Sequence, residues 1–284
     1  MSTSKMKVEG PLTGKVSIRN VTKVYDPDGA NVVALEQFSM EVPAGDFIAI
    51  VGPSGCGKST LLNILAGFDT LSQGEVYLDE EPLALVNKPA LPGPSRVVVF
   101  QQGALFPWKT VLENVTYGLL KQRVMGKSDA EAKAMDLLAR SGNLEKIGGL
   151  YPNQLSSGMQ RRVEILRALI NDPKILLLDE PFRAMDTVNK NTMHQHLLKI
   201  YQDNPKTIMF ITHDLEEALF LADRVIVMTT RPGTLKLDIE VNLPRPRRRE
   251  MMASKEYLNL RQQTISAVRE EAKKAFERGE RELA

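Results

Sequence analysis

One cysteine, three histidines and a 6% share of aromatic residues in 284 positions leave several function classes without material. A lone Cys56 cannot close an intrachain disulfide, which excludes a disulfide-stapled scaffold and fits a reducing compartment. Charge of one sign is also missing. The 37 basic residues nearly balance 35 acidic ones, and a net charge of +2 gives no footing for nucleic acid or an anionic membrane as the main partner. No apolar run approaches the ~20 residues that cross a bilayer. Residues 1–15 are polar, lack the apolar stretch of a signal peptide, and are expected to be a flexible N-terminus. The chain is therefore expected to be soluble and cytoplasmic, with any membrane role arising through a partner. Two of the histidines, His194 and His196, stand i, i+2 on an expected helix and face different directions. They are expected at the surface and not as metal ligands.

What is present is concentrated between residues 46 and 60. The apolar Phe47-Ile-Ala-Ile-Val51 runs into Gly52-Pro53-Ser54-Gly55-Cys56-Gly57-Lys58-Ser59-Thr60, and Leu61-Leu62-Asn63-Ile64-Leu65 follows. A buried strand, a glycine-rich turn and a helix start in that order form a phosphate-binding P-loop. Gly52, Gly55 and Gly57 let the backbone curl with its N–H groups inward, Lys58 reaches the β/γ-phosphates and Ser59 ligates Mg²⁺. With glycine near 7% of residues, such a match arises by accident in roughly 1% of chains this long. A nucleotide triphosphatase is the starting expectation.

The rest of the chain organises around it. Val16–Tyr25 and Ala34–Val42 alternate as half-buried strands, suggesting an antiparallel β-layer. Arg96–Phe100, Ile175–Leu178 and Thr207–Ile211 read as strands buried on both faces. Helical spacing over Val111–Lys121, Asp129–Ser141 and Gln160–Ile170 predicts an inserted helical subdomain at about 103–172. A helix over Asp214–Ala222, capped by its first residue, and a strand over Arg224–Thr229 follow. The fold class is α/β, a P-loop core with an antiparallel β-layer and a helical insertion. Residues 244–284 begin with Pro-Arg-Pro-Arg-Arg-Arg and continue as a charged helix with Ile265, Val268, Ala272 and Ala275 on one face.

Ile175-Leu-Leu-Leu-Asp179-Glu180 ends an apolar strand in two carboxylates. After a P-loop, Asp179 is placed to hold the Mg²⁺ shell and Glu180 to polarise the attacking water as general base. Leu155-Ser156-Ser157-Gly158 opens a helix whose first amides could hold a phosphate, although Ser156 also fits an ordinary N-cap. Standing about twenty residues before Asp179 and after a helical insertion, it resembles the ABC ATPase signature, which begins Leu-Ser-Gly-Gly.

That resemblance extends over residues 16–243 and implies ATP and Mg²⁺ as ligands. It further implies that Tyr25 stacks on adenine, that Gln101 is the Q-loop glutamine linking the magnesium site to the helical subdomain, with Gln102 beside it as the alternative, that Asp186 is the D-loop aspartate, and that His213 is the switch histidine contacting the γ-phosphate. The phosphate site would span Gly52 to Thr60, completed by Ser156, Ser157 and Gly158 of a second ATPase subunit, identical or different, packed head to tail. Further implied partners are an integral membrane permease and, indirectly, a solute-binding protein, at the cytoplasmic face of the inner membrane. Ala104-Leu-Phe-Pro-Trp108 and Leu243-Pro-Arg-Pro-Arg247 are similar to the nitrate, sulfonate and taurine branch of bacterial importers. Ser157 for glycine, and Arg183 and Met185 in the D-loop, depart from the family pattern. Cys56 carries no obvious role, and its alkylation is expected to block nucleotide. An exporter or lipid-extraction ATPase would share every one of these motifs. A soluble ABC protein acting on ribosomes or DNA would carry two fused ATPase domains or long coiled coils, and a metabolic P-loop kinase would lack the signature helix and D-loop.

Overall fold

A computed structural model describes residues 12–183 and 185–278; most of the expected N-terminal tail, residues 1–11, lies outside them. Leu12 to Lys15 precede the first strand without regular secondary structure, and the amides of Gly14 and Lys15 donate to Asp79 Oδ1 at 2.6 and 2.9 Å.

Among the described residues, ten strands form two sheets. The first is antiparallel, in the order β2 (Val32–Val42), β1 (Val16–Tyr25), β4 (Gln73–Leu78), β5 (Glu81–Leu85). The second runs β10 (Leu235–Glu240), β9 (Arg224–Met228), β3 (Phe47–Val51), β8 (Thr207–Ile211), β7 (Ile175–Asp179), β6 (Arg96–Val99). All its neighbours are parallel except the β10–β9 pair. Parallel strands need covered faces, and the sequence supplies apolar residues of both parities. Phe47, Ala49, Val51, Leu176 and Leu178 face helices α5 (Thr187–Asp203), α6 (Leu215–Leu221) and α7 (Lys255–Glu277), whereas Ile48, Ile50, Ile175 and Leu177 face helix α1 (Lys58–Ala66) and the antiparallel sheet. The three central strands β3, β8 and β7 are buried almost throughout, as expected. Strand β6 is not: it is the sheet edge, three of its four residues are half-buried, and the exposed Phe100 that follows stacks on Phe68 at 5.8 Å.

Helices α2 (Val111–Lys121), α3 (Lys127–Arg140) and α4 (Ser157–Leu169) share an apolar cluster of their own, with Val115, Ala134, Leu138, Val163 and Leu166 at its centre. Helix α2 starts on a capping box in which Thr110 and Glu113 bond each other's backbone N–H groups. Helix α4 begins three residues before the spacing suggested, because Ser156 caps it by accepting from Met159 N.

Two surface readings are corrected by burial. His194 is buried on α5, edge-on to Phe182 at 5.1 Å with Nε2 3.5 Å from Glu217 Oε1; only His196 is half-buried. The contact face of α7 is centred on Tyr257, Thr264, Ala267, Glu271 and Ala275, which leaves Ile265, Val268 and Ala272 at its margins. Apolar spacing alone could not find it, because two of its central residues are polar.

Candidate functional site

The C-terminal ends of β3, β7 and β8 converge. Strand β3 delivers the glycine-rich loop, where Gly55 (φ +74°) and Gly57 (φ +97°) occupy the left-handed region that a side chain disfavours. A methyl group on Gly57 would lie 2.7 Å from Ala34 O, so the loop also curls too tightly against β2 for a larger residue. Lys58 opens α1, and its buried Nζ donates back across the loop to Gly52 O (2.9 Å) and Pro53 O (2.8 Å). Pro53 is buried with it, whereas Ser54 and Gly55 lie exposed at the loop tip. Cys56 is fully buried and its Sγ lies 3.6 Å from Lys58 Nζ. Burial pushes the thiol above its ordinary range despite the lysine. A protonated, enclosed thiol is a poor nucleophile, so alkylation of Cys56 in the folded chain is expected to be slow.

The next residue of α1 is Ser59, whose hydroxyl is hydrogen-bonded to Asp179 at the end of β7. Burial and the neighbouring Glu180 push the Asp179 carboxyl up, while Ser59 and Lys58 oppose them. A hydroxyl and a carboxylate oxygen side by side are the donors Mg²⁺ takes. The residues fit the ion.

Glu180 follows with φ +42°, an uncommon conformation for a side-chain-bearing residue. Its N–H still donates to Ile211 O at 2.9 Å, so the turn away from the sheet is anchored at once. The carboxylate is met from two sides: His213 Nδ1, just past β8, lies 3.4 Å from Oε2, and Arg183 Nη1 lies 3.2 Å from the same oxygen. The His213 loop has its own support. Thr212 Oγ1 accepts from Asp214 N (3.0 Å) and donates to the buried Glu217 (2.7 Å), and Lys190 Nζ lies 2.9 Å from the other Glu217 oxygen. Burial would raise the Glu217 carboxyl, but His194, Lys190 and Thr212 hold it below the usual carboxylate range. Asp214 caps α6 by accepting from Glu216 N and Glu217 N.

Tyr25 ends β1 beside the start of α1. Its hydroxyl donates to Asp69 Oδ2 (2.5 Å) and lies 3.4 Å from Thr60 Oγ1, and Lys23 Nζ sits 4.7 Å from its ring centre. The ring thus stands at the rim of the phosphate loop, partly exposed.

Other candidates lie apart from this cluster. Gln101 is exposed beyond β6, and its backbone carbonyl accepts from Arg161 Nη2 at 2.6 Å; no hydrogen bond joins its side chain to the Ser59–Asp179 pair among the described residues. Gln102 is equally exposed. Ser156 and Ser157 are exposed at the α4 N-terminus, and Gly158 packs toward Met185 and Asn189. Asp186 caps α5 through Val188 N and Asn189 N at 3.1 and 3.0 Å. Its neighbour Ala184 is outside the described residues. The signature residues therefore meet their own D-loop, and among the described residues no hydrogen bond ties them to their own P-loop.

Sequence reasoning missed a second layer. Buried Glu164 on α4 accepts from Ala104 N (2.6 Å) and pairs with Arg161 Nη1 (2.6 Å), while Arg161 also donates to Phe100 O (2.7 Å) and Arg167 to Ala104 O (2.8 Å). A glutamate with arginines three residues to either side on one helix was the available signal.

Three adjacent parallel strands thus deliver a lysine-closed phosphate cradle, a hydroxyl–carboxylate pair and a histidine-contacted glutamate to one end of one sheet, which is the arrangement of a P-loop nucleoside triphosphatase. The family profile described as ABC transporter matches residues 35–183. The nitrate import ATP-binding protein of Synechococcus elongatus is 38% identical over 255 residues, covering 89% of this chain and 91% of that one. The aliphatic sulfonates import ATP-binding protein of Bacillus cereus is 37% identical over 265 residues, covering 93% and 96%. Among solved structures, an ATP-binding cassette dimer in a post-hydrolysis state with ADP and Pi superposes with a TM-score of 0.68 at 33% identity, covering 80% of this chain and 99% of that one. The chain belongs to the ABC transporter family, and within it is an ATPase subunit that binds ATP with Mg²⁺. No helix among the described residues is long and apolar enough to cross a membrane.

Proposed function

We propose that this chain is the ATP-hydrolysing subunit of an importer for a small solute of the nitrate, sulfonate or taurine type, working at the cytoplasmic face of the inner membrane against a partner permease. The observation that carries the ATPase assignment is the Glu180–His213 pair at 3.4 Å beside the Ser59–Asp179 pair. In this reading the loop amides from Gly52 to Thr60 and the Lys58 ammonium hold the phosphates, and the Tyr25 ring stacks against adenine. Glu180 takes the proton of the attacking water, and His213 holds the γ-phosphate while its contact with Glu180 fixes the base in line. Ser59 and Asp179, with Gln101 as a further candidate, would hold Mg²⁺, which would supply neutralisation of phosphate charge.

Ser156 and Ser157 are exposed with no hydrogen bond to their own P-loop among the described residues, and the reading places them, with Gly158, over the γ-phosphate of a second ATPase subunit, with Asp186 at the seam. A helix N-terminus suits an anion. The stroke passes through the Gln101 region, where a groove of about 350 Å³ lined by Val97, Phe100, Ala104, Phe106, Tyr117 and Arg167 opens between β6 and the helical layer. That groove is our candidate seat for the permease. Import over export is supported by the two relatives above, whose names differ in their solute; the solute would be chosen by the permease and a solute-binding protein.

The test is affinity purification from native membranes in mild detergent, with co-purifying subunits counted by mass spectrometry. Two ATPase subunits with a permease pair and a solute-binding protein are expected. Recovery without any membrane protein would overturn the transport reading, and a permease with no solute-binding protein, together with ATP-driven efflux from vesicles, would turn it to export.

A further inference from the structure

The turn between β9 and β10 lies directly on the P-loop. A methyl group on Gly233 would lie 2.1 Å from Cys56 O, and Gly233 is pinned from the other side by its N–H to Ala34 O (3.0 Å) and its carbonyl from Glu36 N (3.1 Å). The turn is also braced internally, by Thr229 Oγ1 donating to Pro232 O at 2.9 Å. At its tip stands Arg231, exposed, with Nη2 3.4 Å from where a methyl group on Gly55 would lie. Among the described residues no carboxylate is paired with this guanidinium. An unpaired guanidinium held against the exposed tip of a phosphate loop is a ready partner for phosphate oxygens, which Arg binds through its planar fork.

The same turn is held from behind by the C-terminal helix. Glu271 of α7 is almost fully buried, and its Oε2 accepts from Thr230 N at 2.9 Å. Its other oxygen meets Lys236 Nζ (2.6 Å) and Lys274 Nζ (2.8 Å). About two turns further on, Arg278 Nη1 donates to Arg231 O at 2.6 Å. A carboxylate in the middle of a helix's contact face is costly unless fully partnered. Here its partners are the backbone just before Arg231, Lys236 near the start of β10 and Lys274 of its own helix. Helix α7 therefore grips both residues of the Thr230-Arg231 pair.

We propose that Arg231 is a further phosphate-binding residue of the nucleotide site and that α7, through Glu271 and Arg278, holds it over the P-loop. This rests on the P-loop being the triphosphate site, and it gives the C-terminal helix a part in nucleotide affinity. The test uses the purified full-length chain and a fluorescent N-methylanthraniloyl ATP, titrated at low and at 0.5 M salt, with circular dichroism checking that each variant is folded. Arg231→Ala is expected to weaken binding about five- to tenfold at low salt, with the deficit shrinking at high salt as screening removes the charge contribution. Arg231→Lys should recover most of it, and Arg278→Ala, at an exposed position that tolerates change, should weaken binding two- to fourfold. Affinity within twofold of wild type in Arg231→Ala overturns the phosphate role. A salt-independent deficit that lysine does not rescue assigns Arg231 to packing and overturns it equally. Normal affinity in Arg278→Ala removes the helix from the account. Lys58→Ala serves as control, because normal binding in that variant would fault the P-loop assignment and not Arg231.

Discussion

Replacing Glu164 with alanine tests whether the loop after β6 is fastened to α4 by charge. Glu164 is 4% exposed, and Arg161 beside it is largely covered as well. Burial already pulls the Arg161 guanidinium below its ordinary range, with Glu164 opposing that effect. Taking one partner from a buried ion pair costs about 3–5 kcal/mol, because the other charge stays desolvated. Arg161 would keep two acceptors, Phe100 O and Gln101 O, which argues for the lower end, about 3 kcal/mol. For a chain of this size each kcal/mol moves Tm by about 2–4 °C, so Glu164→Ala should lower it by about 6–12 °C. Arg161→Ala leaves a buried carboxylate with the Ala104 N–H as its remaining partner and should cost a similar amount. The double variant should cost no more than either single change, giving a coupling energy of about 2 kcal/mol or more in a cycle measured by urea denaturation. Single losses below about 1 kcal/mol that simply add would refute the reasoning and make the Arg161–Glu164 contact incidental.

Other consequences follow from burial and position. If the Ser157 side chain crowds a γ-phosphate held across a dimer, Ser157→Gly should raise ATP turnover two- to fivefold in a phosphate-release assay; an equal or lower rate discards the crowding argument. Glu217 is held below its ordinary value of 4.5, so its ion pairs add stability fully above that pH and lose it as pH falls through the lower folded value. Glu217→Gln should therefore cost more stability at pH 7 than at pH 3, and equal losses at both would remove the charge from the explanation. Cys56 should react with N-ethylmaleimide at least tenfold more slowly in the native chain than in urea, as followed by mass spectrometry, and equal rates would contradict its burial.

Much of the core was legible because buried parallel strands must be apolar on both faces and because phosphate chemistry fixes spacing. Phe47–Val51, Ile175–Asp179 and Thr207–Ile211 announce themselves in this way, as do Lys58, Ser59, Asp179 and Glu180 at their ends, whereas His213 was reached only through the family resemblance. Strands β4 and β5 did not. Gln73-Gly-Glu-Val-Tyr-Leu78 is mixed in character and broken by Gly74, and Glu81-Pro82 opens its neighbour; β4 is a strand because β1 offers it an edge, and β5 because β4 does. Strand β10, Leu-Lys-Leu-Asp-Ile-Glu, does alternate and was readable on that signal alone. Arg96–Val99 reads as fully buried, yet sheet order places it at an edge, which no local pattern reports. Within the site, polar residues buried by long-range partners were the least legible. His194 faces the core because Phe182 and Glu217 are there, and Glu271 sits under Thr230 across a gap of 41 residues. Neither partner can be read from the residue's own neighbourhood.

The central claim, that hydrolysis is driven by Glu180 at a site closed by a second subunit, is tested most directly by Glu180→Gln. Oligomer mass and ATP turnover would be measured together, by sedimentation with ATP and Mg²⁺ and by phosphate release. The account predicts undiminished ATP binding, a 10²–10⁴-fold fall in turnover as expected for a lost general base, and a dimer that persists with ATP but not with ADP. Wild-type turnover would contradict the role of Glu180, and a chain that stays monomeric with ATP bound would contradict the shared site.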